Sequence, residues 1–431
     1  MADRKGKRRF VTGRRPGRLL RALALPGLVC AATWLPAAAT AQPAAAAQLI
    51  RTNLPADARR TLSPEARLHE VYRLIGAART HEALIKAQAL VRDVPNFQLA
   101  QLVYGDLLMA RSAPLAGFGT AAAAVSLTPE ARAQLEDLRR EAQMRLLALQ
   151  EQPPAGALPR QFLTLPPATR HAVAVDAARA RLYLFEQRRN GLELVASHYV
   201  SLGRAGINKS MEGDQRTPLG VYFITSRLFE QQLKDFYGPG ALPLNYPNEY
   251  DRRQGRTGGK IWLHGVPREN YSRSPQATDG CVVLANDDLE QLLRQIEPIG
   301  TPVVIAHKLE WVTPAGAAQE RRAALDLLES WRRAKSAADL PRLASFYSAR
   351  FASGTADLVQ WLQGLEREVS SFGARNTQLK DVSVLSWRDQ GEILVVTFGE
   401  VRDGLRSGPV KRQYWGKEGG EWKIFFEGVI G

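Results

Sequence analysis

The spacing of apolar residues changes twice along this chain, and the changes divide it into parts that fold differently. Up to residue 166, apolar residues recur at three and four positions, as they do on one face of a helix. From residue 167, short alternating runs predominate, as in half-buried strands. After residue 319, helical segments come first and strand-like segments follow. A length of 431 residues allows about two to four domains, so the sequence predicts a multidomain protein.

The N-terminus has the composition of an export signal. Residues 1–21 hold nine Lys or Arg residues and one Asp, residues 22–41 carry no charge, and Ala39-Thr40-Ala41 precedes Gln42. A basic segment, an apolar segment and an A-x-A site in this order are typical of a cleaved secretory signal peptide. We therefore expect residues 1–41 to be a signal peptide and the protein to be exported to the periplasm.

The net charge of +15 comes largely from this segment. Its removal takes away nine positive charges and one negative charge, which leaves +7. No later basic cluster is interleaved with aromatic residues, so the sequence does not indicate nucleic-acid binding. Pro26 and Pro36 interrupt the apolar run, which favours a cleaved signal over the alternative of a stable membrane anchor. Cys30 is removed with the signal, and Cys281 then has no intramolecular disulfide partner.

Residues 42–166 are predicted to form a helical domain. His81–Arg92 and Phe97–Arg111 have apolar residues at helical spacing, and Pro129–Leu149 is a further amphipathic segment. The first two helices resemble one tetratricopeptide unit, although a single unit cannot stack on itself. We expect a scaffolding role or a homodimer contact here rather than chemistry.

Residues 167–309 are predicted to form a β-rich domain with one helix, Asp287–Ile296, for which Asn286 and Asp287 are candidate caps. Arg227–Gly259 is rich in Gly, Pro, Asn and Tyr and is predicted to be a long irregular lid or binding loop. The strand-like runs are His171–Asp176, Arg181–Phe185, Leu192–Leu202, Gly220–Thr225, Lys260–His264, Cys281–Leu284 and Thr301–Ala306.

Residues 310–318 are predicted to be a linker, and residues 319–431 a separate α+β domain. Helix-like segments precede strand-like segments there, and Gly419-Gly420 marks a hairpin turn. This order predicts a cone that encloses a pocket. The helix-like segments are Gln319–Ser336, Asp339–Phe346 and Leu358–Val369, and the strand-like segments are Gln378–Trp387, Glu392–Arg402, Lys411–Trp415 and Glu421–Phe426.

Two reactive side chains lie at strand ends in the β-rich domain. His264 ends an apolar run and Cys281 begins another, 17 positions on. Neighbouring strands lie about 4.8 Å apart, so we expect the two side chains to meet. Only a thiolate is a good nucleophile, and an adjacent imidazole can take the thiol proton and return it to a leaving amine. Each residue alone is better interpreted as a strand cap or a core residue, but the pair favours nucleophilic catalysis.

The glycines beside this pair have predicted roles too. Gly280 removes bulk before the cysteine, so the backbone N–H groups of Asp279, Gly280 and Cys281 are predicted to form an oxyanion hole. The carbonyl of Gly265 is predicted to fix the tautomer of His264.

The ordered set Gly213-Asp214, Thr217-Pro218, Gly220, Tyr222, His264-Gly265 and Thr278-x-Gly280-Cys281 resembles the YkuD-type L,D-transpeptidase catalytic domain. The resemblance covers about residues 168–308 of this sequence. It implies a β-rich fold, a cysteine acyl-enzyme and peptidoglycan stem peptides as partners. It also implies that Cys281 is the nucleophile and His264 the general acid and base.

Two positions depart from the family pattern. Asp279 stands where the family often has histidine, and Val283 stands where it often has arginine. Arg273 is a candidate replacement cation for a peptide carboxylate, and a solvated loop arginine is an equally good interpretation. Tyr222 and Tyr246 are candidate groove residues, with core packing as the alternative.

Residues 319–431 resemble an NTF2/SnoaL-like domain in element order and in the ending Trp422–Gly428. The three domains together resemble helical-cell-shape L,D-carboxypeptidases of curved bacteria, which trim tetrapeptides. The first hypothesis is therefore an L,D-transpeptidase, with an L,D-carboxypeptidase and a non-catalytic wall-binding scaffold as alternatives. The remaining histidines are scattered and Gly203–Ser210 lacks a phosphate-loop glycine at Asn208, so no metal or cofactor is predicted.

Overall fold

Four helices begin the described part of this computed structural model, which covers residues 62–114, 117–119, 127–372, 376–388 and 391–430. Ser63 and Thr128 cap two of these helices, because each side chain accepts from the N–H three residues on and a proline follows. The helix Pro64–Gly76 was not predicted from the sequence. The helices are α1 (Pro64–Gly76), α2 (Thr80–Asp93), α3 (Gln98–Met109) and α4 (Pro129–Gln150). The predicted signal peptide lies outside the described residues.

The β-rich domain is built on a five-stranded sheet with the order β5-β4-β3-β13-β7. Alternate residues of its strands enter two different cores: Val173 and Leu184 face one, and Ala174 and Phe185 face the other. Because both faces are covered, the inner strands β4, β3 and β13 are apolar through their centres, whereas the edge strand β5 is partly exposed. The strands are β3 (His171–Asp176), β4 (Arg181–Arg188), β5 (Gly191–Tyr199), β7 (Gly220–Phe223) and β13 (Pro302–Ala306).

A second, smaller sheet has the order β12-β10-β9-β8 and packs with helix α6 (Asn286–Gln295) on the first core. The prediction that Arg227–Gly259 is irregular throughout is wrong, since it contains β8, β9 and a short helix, α5 (Glu249–Arg253). Elements of two to five residues are too short for a periodic pattern to reveal. The strands are β8 (Leu228–Phe229), β9 (Gly240–Pro243), β10 (Trp262–His264) and β12 (Val282–Val283). A separate parallel pair joins β6 (Leu202–Gly203) to β11 (Gln276–Thr278).

The C-terminal domain wraps three helices around one face of a curved antiparallel sheet. Trp331, Leu365, Phe398 and Trp415 lie in the core between them. The helices are α7 (Ala318–Ser336), α8 (Leu340–Ser345) and α9 (Leu358–Phe372), and the strands are β17 (Thr377–Arg388), β18 (Glu392–Arg402), β19 (Val410–Glu418) and β20 (Glu421–Val429), with a small hairpin of β15 (Ala352–Ser353) and β16 (Ala356–Asp357).

The other face of this C-terminal sheet packs on the β-rich domain. Phe185 and Val304 of the first sheet share a core with Leu385, Tyr414 and Phe425 of the C-terminal sheet. The C-terminal domain is therefore packed on its neighbour and not merely tethered to it.

Two short strand pairings lie at the predicted boundaries of the β-rich domain. Strand β2 (Phe162–Thr164) pairs with β17 and adds a fifth strand to the C-terminal sheet. Strand β14 (Trp311–Val312) lies in the predicted linker and pairs with β1 (Leu158–Pro159). The segments at the predicted boundaries of the β-rich domain thus form part of the packed structure.

Candidate active site

His264 and Cys281 lie on neighbouring parallel segments. Strand β10 pairs with β12 so that Leu263 faces Val282 and His264 faces Val283. Leu263 and Val282 point into the core, so the alternate residues His264 and Cys281 point to the opposite face. If that register continues by one residue, the Cα atoms of His264 and Cys281 lie about 8 Å apart, from a strand spacing of about 4.8 Å and a rise of about 3.3 Å per residue.

The imidazole of His264 is buried and held in one orientation. Its Nδ1 lies 2.8 Å from the carbonyl oxygen of Gly265. A carbonyl only accepts, so Nδ1 carries the proton and Nε2 carries the free lone pair. Burial lowers the pKa of His264 to about 4, although the bond to Gly265 opposes this shift; the positive charge of Arg273 adds to it. The ring is therefore neutral at neutral pH, with Nε2 ready to accept a proton.

The turn after His264 is held by Asn286, which sequence analysis assigned only as a candidate helix cap. The Oδ1 of Asn286 accepts from the backbone N–H of Val266 at 2.9 Å. No side chain caps the first turn of α6, which the structure describes, so the prediction that Asn286 or Asp287 caps this helix is wrong. A Cβ on Gly265 would lie 2.2 Å from that oxygen, and one on Gly238 would lie 2.3 Å from it. The two glycines therefore make room for the amide that positions the His264–Gly265 turn.

The thiol of Cys281 is partly exposed, and its raised pKa keeps it protonated at neutral pH. Its Sγ lies 3.4 Å from the carbonyl oxygen of Lys260, to which it donates. Burial raises the pKa of Cys281 to about 11 and Asp279 adds to the rise, while Arg273 opposes it. Lys260 has a left-handed backbone with φ of 57°, a strained conformation that clusters at functional sites in proteins.

Gly280 is required by the turn that presents the cysteine. Its φ is 126°, and a Cβ there would lie 2.6 Å from the backbone oxygen of Arg216. The hydroxyl of Thr278 accepts from the N–H of Gly280 at 3.0 Å and donates to the carbonyl of Cys281 at 2.8 Å. The N–H of Gly280 is thus engaged, which corrects the predicted oxyanion hole: its remaining candidate donors are the N–H groups of Asp279 and Cys281.

Replacing Gly280 with alanine is expected to lower kcat/KM by about 100-fold, because displacing a nucleophile by about 1 Å has an effect of that size. The matched control is Gly206→Ala, since Gly206 is also left-handed (φ of 91°) but has open space at its Cβ position. Steady-state kinetics on a soluble tetrapeptide, the substrate class that the YkuD resemblance implies, would compare the two variants. Equal losses in both would mean that backbone strain, and not the clash with Arg216, decides the effect.

Arg273 lies beside the candidate pair. Its guanidinium stacks on the ring of Phe236 at 4.5 Å, and that ring lies 6.1 Å from the imidazole of His264. The charge of Arg273 disfavours the imidazolium of His264 and favours the thiolate of Cys281. The side chain is half-buried, so it is held near the reacting groups and is not a freely solvated loop arginine.

Tyr222 and Tyr246 do not line a groove, and that prediction is wrong. Both are buried in the first core, where their rings meet edge to face at 5.9 Å. The hydroxyl of Tyr222 donates to the carbonyl of Leu219, and that of Tyr246 to the carbonyl of Thr257. Their side chains support the domain from within.

Lys209 is a charged residue near the site that the sequence analysis passed over. It is 4% exposed and its Nζ pairs with Asp214 at 2.7 Å, and its charge favours the thiolate of Cys281. The sequence offered a signal for this pair, because Lys209 and Gly213-Asp214 lie in one short segment. Within the described ranges, no group of three or more His, Cys, Asp or Glu side chains is arranged to hold a metal ion, and no helix is long and apolar enough to cross a membrane.

Comparison with known proteins identifies two of the domains. Residues 170–305 match the YkuD family model, an L,D-transpeptidase catalytic domain, and residues 323–428 match the Cds6 C-terminal NTF2-like domain. No curated protein sequence matches the chain significantly.

Two solved structures are similar over most of their own length. Bd1075 from Bdellovibrio bacteriovorus is 26% identical with a TM-score of 0.55, over 64% of this chain and 98% of that chain. The helical cell shape determining protein Pgp2 from Campylobacter jejuni is 22% identical with a TM-score of 0.50, over 60% of this chain and 91% of that chain. The chain therefore shares its fold with both.

Proposed function

We propose that Cys281 forms an acyl-enzyme with peptidoglycan stem tetrapeptides, because the chain contains a YkuD-type L,D-transpeptidase catalytic domain and a C-terminal NTF2-like domain. One observation carries the proposal: a thiol and a neutral, oriented imidazole project from adjacent parallel segments on the same face. The predicted export of the protein would bring this site to the periplasm, where such peptides lie.

The first step is proton transfer from the Sγ of Cys281 to the Nε2 of His264 as substrate displaces the thiol from the carbonyl of Lys260. Both groups are neutral at rest, so the charge pair forms only when the sulfur attacks. The sulfur adds to the carbonyl between the third residue, a diamino acid, and the terminal D-alanine. The N–H groups of Asp279 and Cys281 hold the developing oxyanion.

Collapse of this intermediate breaks the peptide bond. His264 returns its proton to the departing nitrogen, so D-alanine leaves with a neutral amino group. A thioester remains on Cys281. Arg273 binds the terminal carboxylate of the donor, because a guanidinium matches a carboxylate with two parallel hydrogen bonds.

The thioester has two candidate acceptors. Attack by an amine of another stem peptide makes an L,D-cross-link, which is the transpeptidase reaction. Attack by water releases a tripeptide, which is the carboxypeptidase reaction, and the resemblance of the three-domain arrangement to cell-shape L,D-carboxypeptidases supports this second candidate. In both reactions His264 takes the acceptor's proton and the thiol is regenerated.

Product analysis tests the proposal. Purified protein would be incubated with intact sacculi and with a soluble disaccharide tetrapeptide, and the muropeptides separated by liquid chromatography with mass detection. Dimers linked between two third-position residues indicate a transpeptidase, and tripeptides released together with free D-alanine indicate a carboxypeptidase. Absence of both products, with retained binding to sacculi, would instead support a wall-binding scaffold.

The acid limb of the pH profile is expected to lie well below the usual range for histidine. His264 must be unprotonated to accept the thiol proton, and its pKa is about 4. The value of kcat/KM should therefore stay high as the pH falls through 6.5 and drop only near 4, with circular dichroism to show that the fold persists. Arg273→Gln removes a charge that disfavours the imidazolium, so it should move the limb to higher pH. A limb at 6.5 or above in the unaltered protein would contradict the lowered pKa of His264.

A further inference from the structure

Residues 265–280 connect the two candidate catalytic residues, and the N-terminal helices hold part of this segment. The Nδ2 of Asn96 donates to the carbonyl of Arg268 at 3.1 Å. The ring of Phe97 lies 4.0 Å from that of Tyr271, and both are buried in the core of the helical domain. We call residues 268–273 the connecting segment.

Two consecutive residues of the connecting segment are fixed by separate hydrogen bonds. The hydroxyl of Ser272 donates to Oε1 of Glu141, a buried residue of α4, at 2.8 Å. The hydroxyl of Tyr199 donates to the carbonyl of Arg273 at 2.9 Å. One bond comes from the helical domain and the other from the end of β5.

The two residues that make these hydrogen bonds, Glu141 and Tyr199, both contact Arg145, which is 1% exposed. Its guanidinium donates to Oε1 of Glu141 at 2.7 and 2.9 Å and stacks on the ring of Tyr199 at 4.0 Å. It also pairs with Glu65 of α1 at 2.8 Å, and Glu65 in turn pairs with Arg181 of β4 at 2.6 Å. The anchors therefore belong to one buried ionic cluster that joins the helical domain to the sheet.

The cluster has a consequence for the site because Arg273 lies at its edge. The backbone of Arg273 is held by Tyr199, while its guanidinium lies on Phe236 beside His264. A buried charge has no water to replace a lost partner, so the cluster keeps one arrangement. It thereby fixes the end of the connecting segment from which the side chain of Arg273 extends toward Phe236 and His264.

We infer that Glu141 and Tyr199, anchored by Arg145, are positioning residues that give the enzyme its selectivity for donors ending in a free carboxylate by fixing Arg273. This inference rests on the proposed function and deepens it. It also gives the helical domain a part in substrate selection, beyond the scaffolding predicted from its sequence.

Two mild variants test the inference. Tyr199→Phe removes the bond to Arg273 but keeps the ring under Arg145, and Ser272→Ala removes the bond to Glu141. The readout is the ratio of kcat/KM for a tetrapeptide to that for the same peptide ending in D-alaninamide. Both variants should lower this ratio by about 10-fold, through KM more than kcat, because a small displacement of a binding group weakens its contact. Arg273→Gln should give the lowest ratio, because it removes the guanidinium itself.

Two controls separate positioning from general loss of structure. Ser274→Ala alters the neighbouring hydroxyl outside the cluster, and Leu90→Ala weakens the core of the helical domain without removing either hydrogen bond; both should keep the original ratio. The inference is overturned if Tyr199→Phe and Ser272→Ala keep the original ratio, or if Leu90→Ala lowers it equally. No turnover of either peptide by the unaltered protein would overturn the proposed function and the inference with it, whereas turnover with unchanged ratios would overturn the inference alone.

Discussion

Replacing Cys281 with serine is expected to lower the rate of D-alanine release from a tetrapeptide by at least about 1,000-fold. A hydroxyl is a much weaker acid than a thiol, and the neutral His264, with a pKa of about 4, is too weak a base to remove its proton. A coupled assay of free D-alanine measures the rate. The small change at a partly exposed position should leave the thermal unfolding midpoint nearly unchanged.

His264→Gln is the companion variant for this result. It removes the proton acceptor but keeps a polar side chain of similar size, so a loss of comparable order is expected. Because the two residues act as a unit, the double variant should be no slower than the worse single variant. A Cys281→Ser protein that retains more than a tenth of the original rate would contradict the assignment of the nucleophile.

Replacing Lys411 with methionine is expected to lower the free energy of unfolding by about 3–5 kcal/mol. Lys411 lies inside the C-terminal domain, where its Nζ is 2.7 Å from Glu400 and 3.3 Å from Glu427. Both carboxylates are at most 3% exposed. Methionine fills similar space but leaves the buried Glu400 with only Lys335, at 2.6 Å, and removes the ammonium beside Glu427. Urea denaturation followed by fluorescence measures the loss.

Lys417→Met is the matched control, because Lys417 pairs with the partly exposed Glu392 at the surface of the same sheet. An exposed pair contributes about 0–1 kcal/mol, so this variant should unfold almost as the original does. Equal stability of the Lys411 and Lys417 variants would show that the buried charges do not depend on Lys411. Since the C-terminal sheet shares a core with the β-rich domain, the loss should appear in the transition of both domains.

Long elements could be predicted from the sequence because their periodicity extends over many residues. Glu392–Arg402 was predicted with the bounds that the structure has, and Pro129–Gln150 differs from its prediction by one residue. Strand β2 was not predicted, because three residues carry little pattern and its partner β17 lies more than 200 positions away. Pairing at that distance depends on how domains pack, which local spacing does not encode.

The same distinction between local pattern and long-range contact applies to the candidate site. The placement of His264 and Cys281 on neighbouring segments could be predicted because each lies at a strand end in an apolar context. The roles of Asn286 and Glu141 could not, because their partners come from segments brought together only by the fold. Tyr222 was a candidate groove residue with core packing as the alternative, and the alternative is correct, because Val221 and Tyr222 enter two different cores.

Intact-protein mass spectrometry of the acyl-enzyme tests the central claim most directly. The protein would be mixed with tetrapeptide, quenched in acid within the first turnovers, and digested to locate the adduct. The expected result is a mass increase equal to the donor less D-alanine on the peptide that contains Cys281, sensitive to hydroxylamine as a thioester is. D-Alanine release by Cys281→Ala, or an adduct on a different residue, would contradict the proposed chemistry.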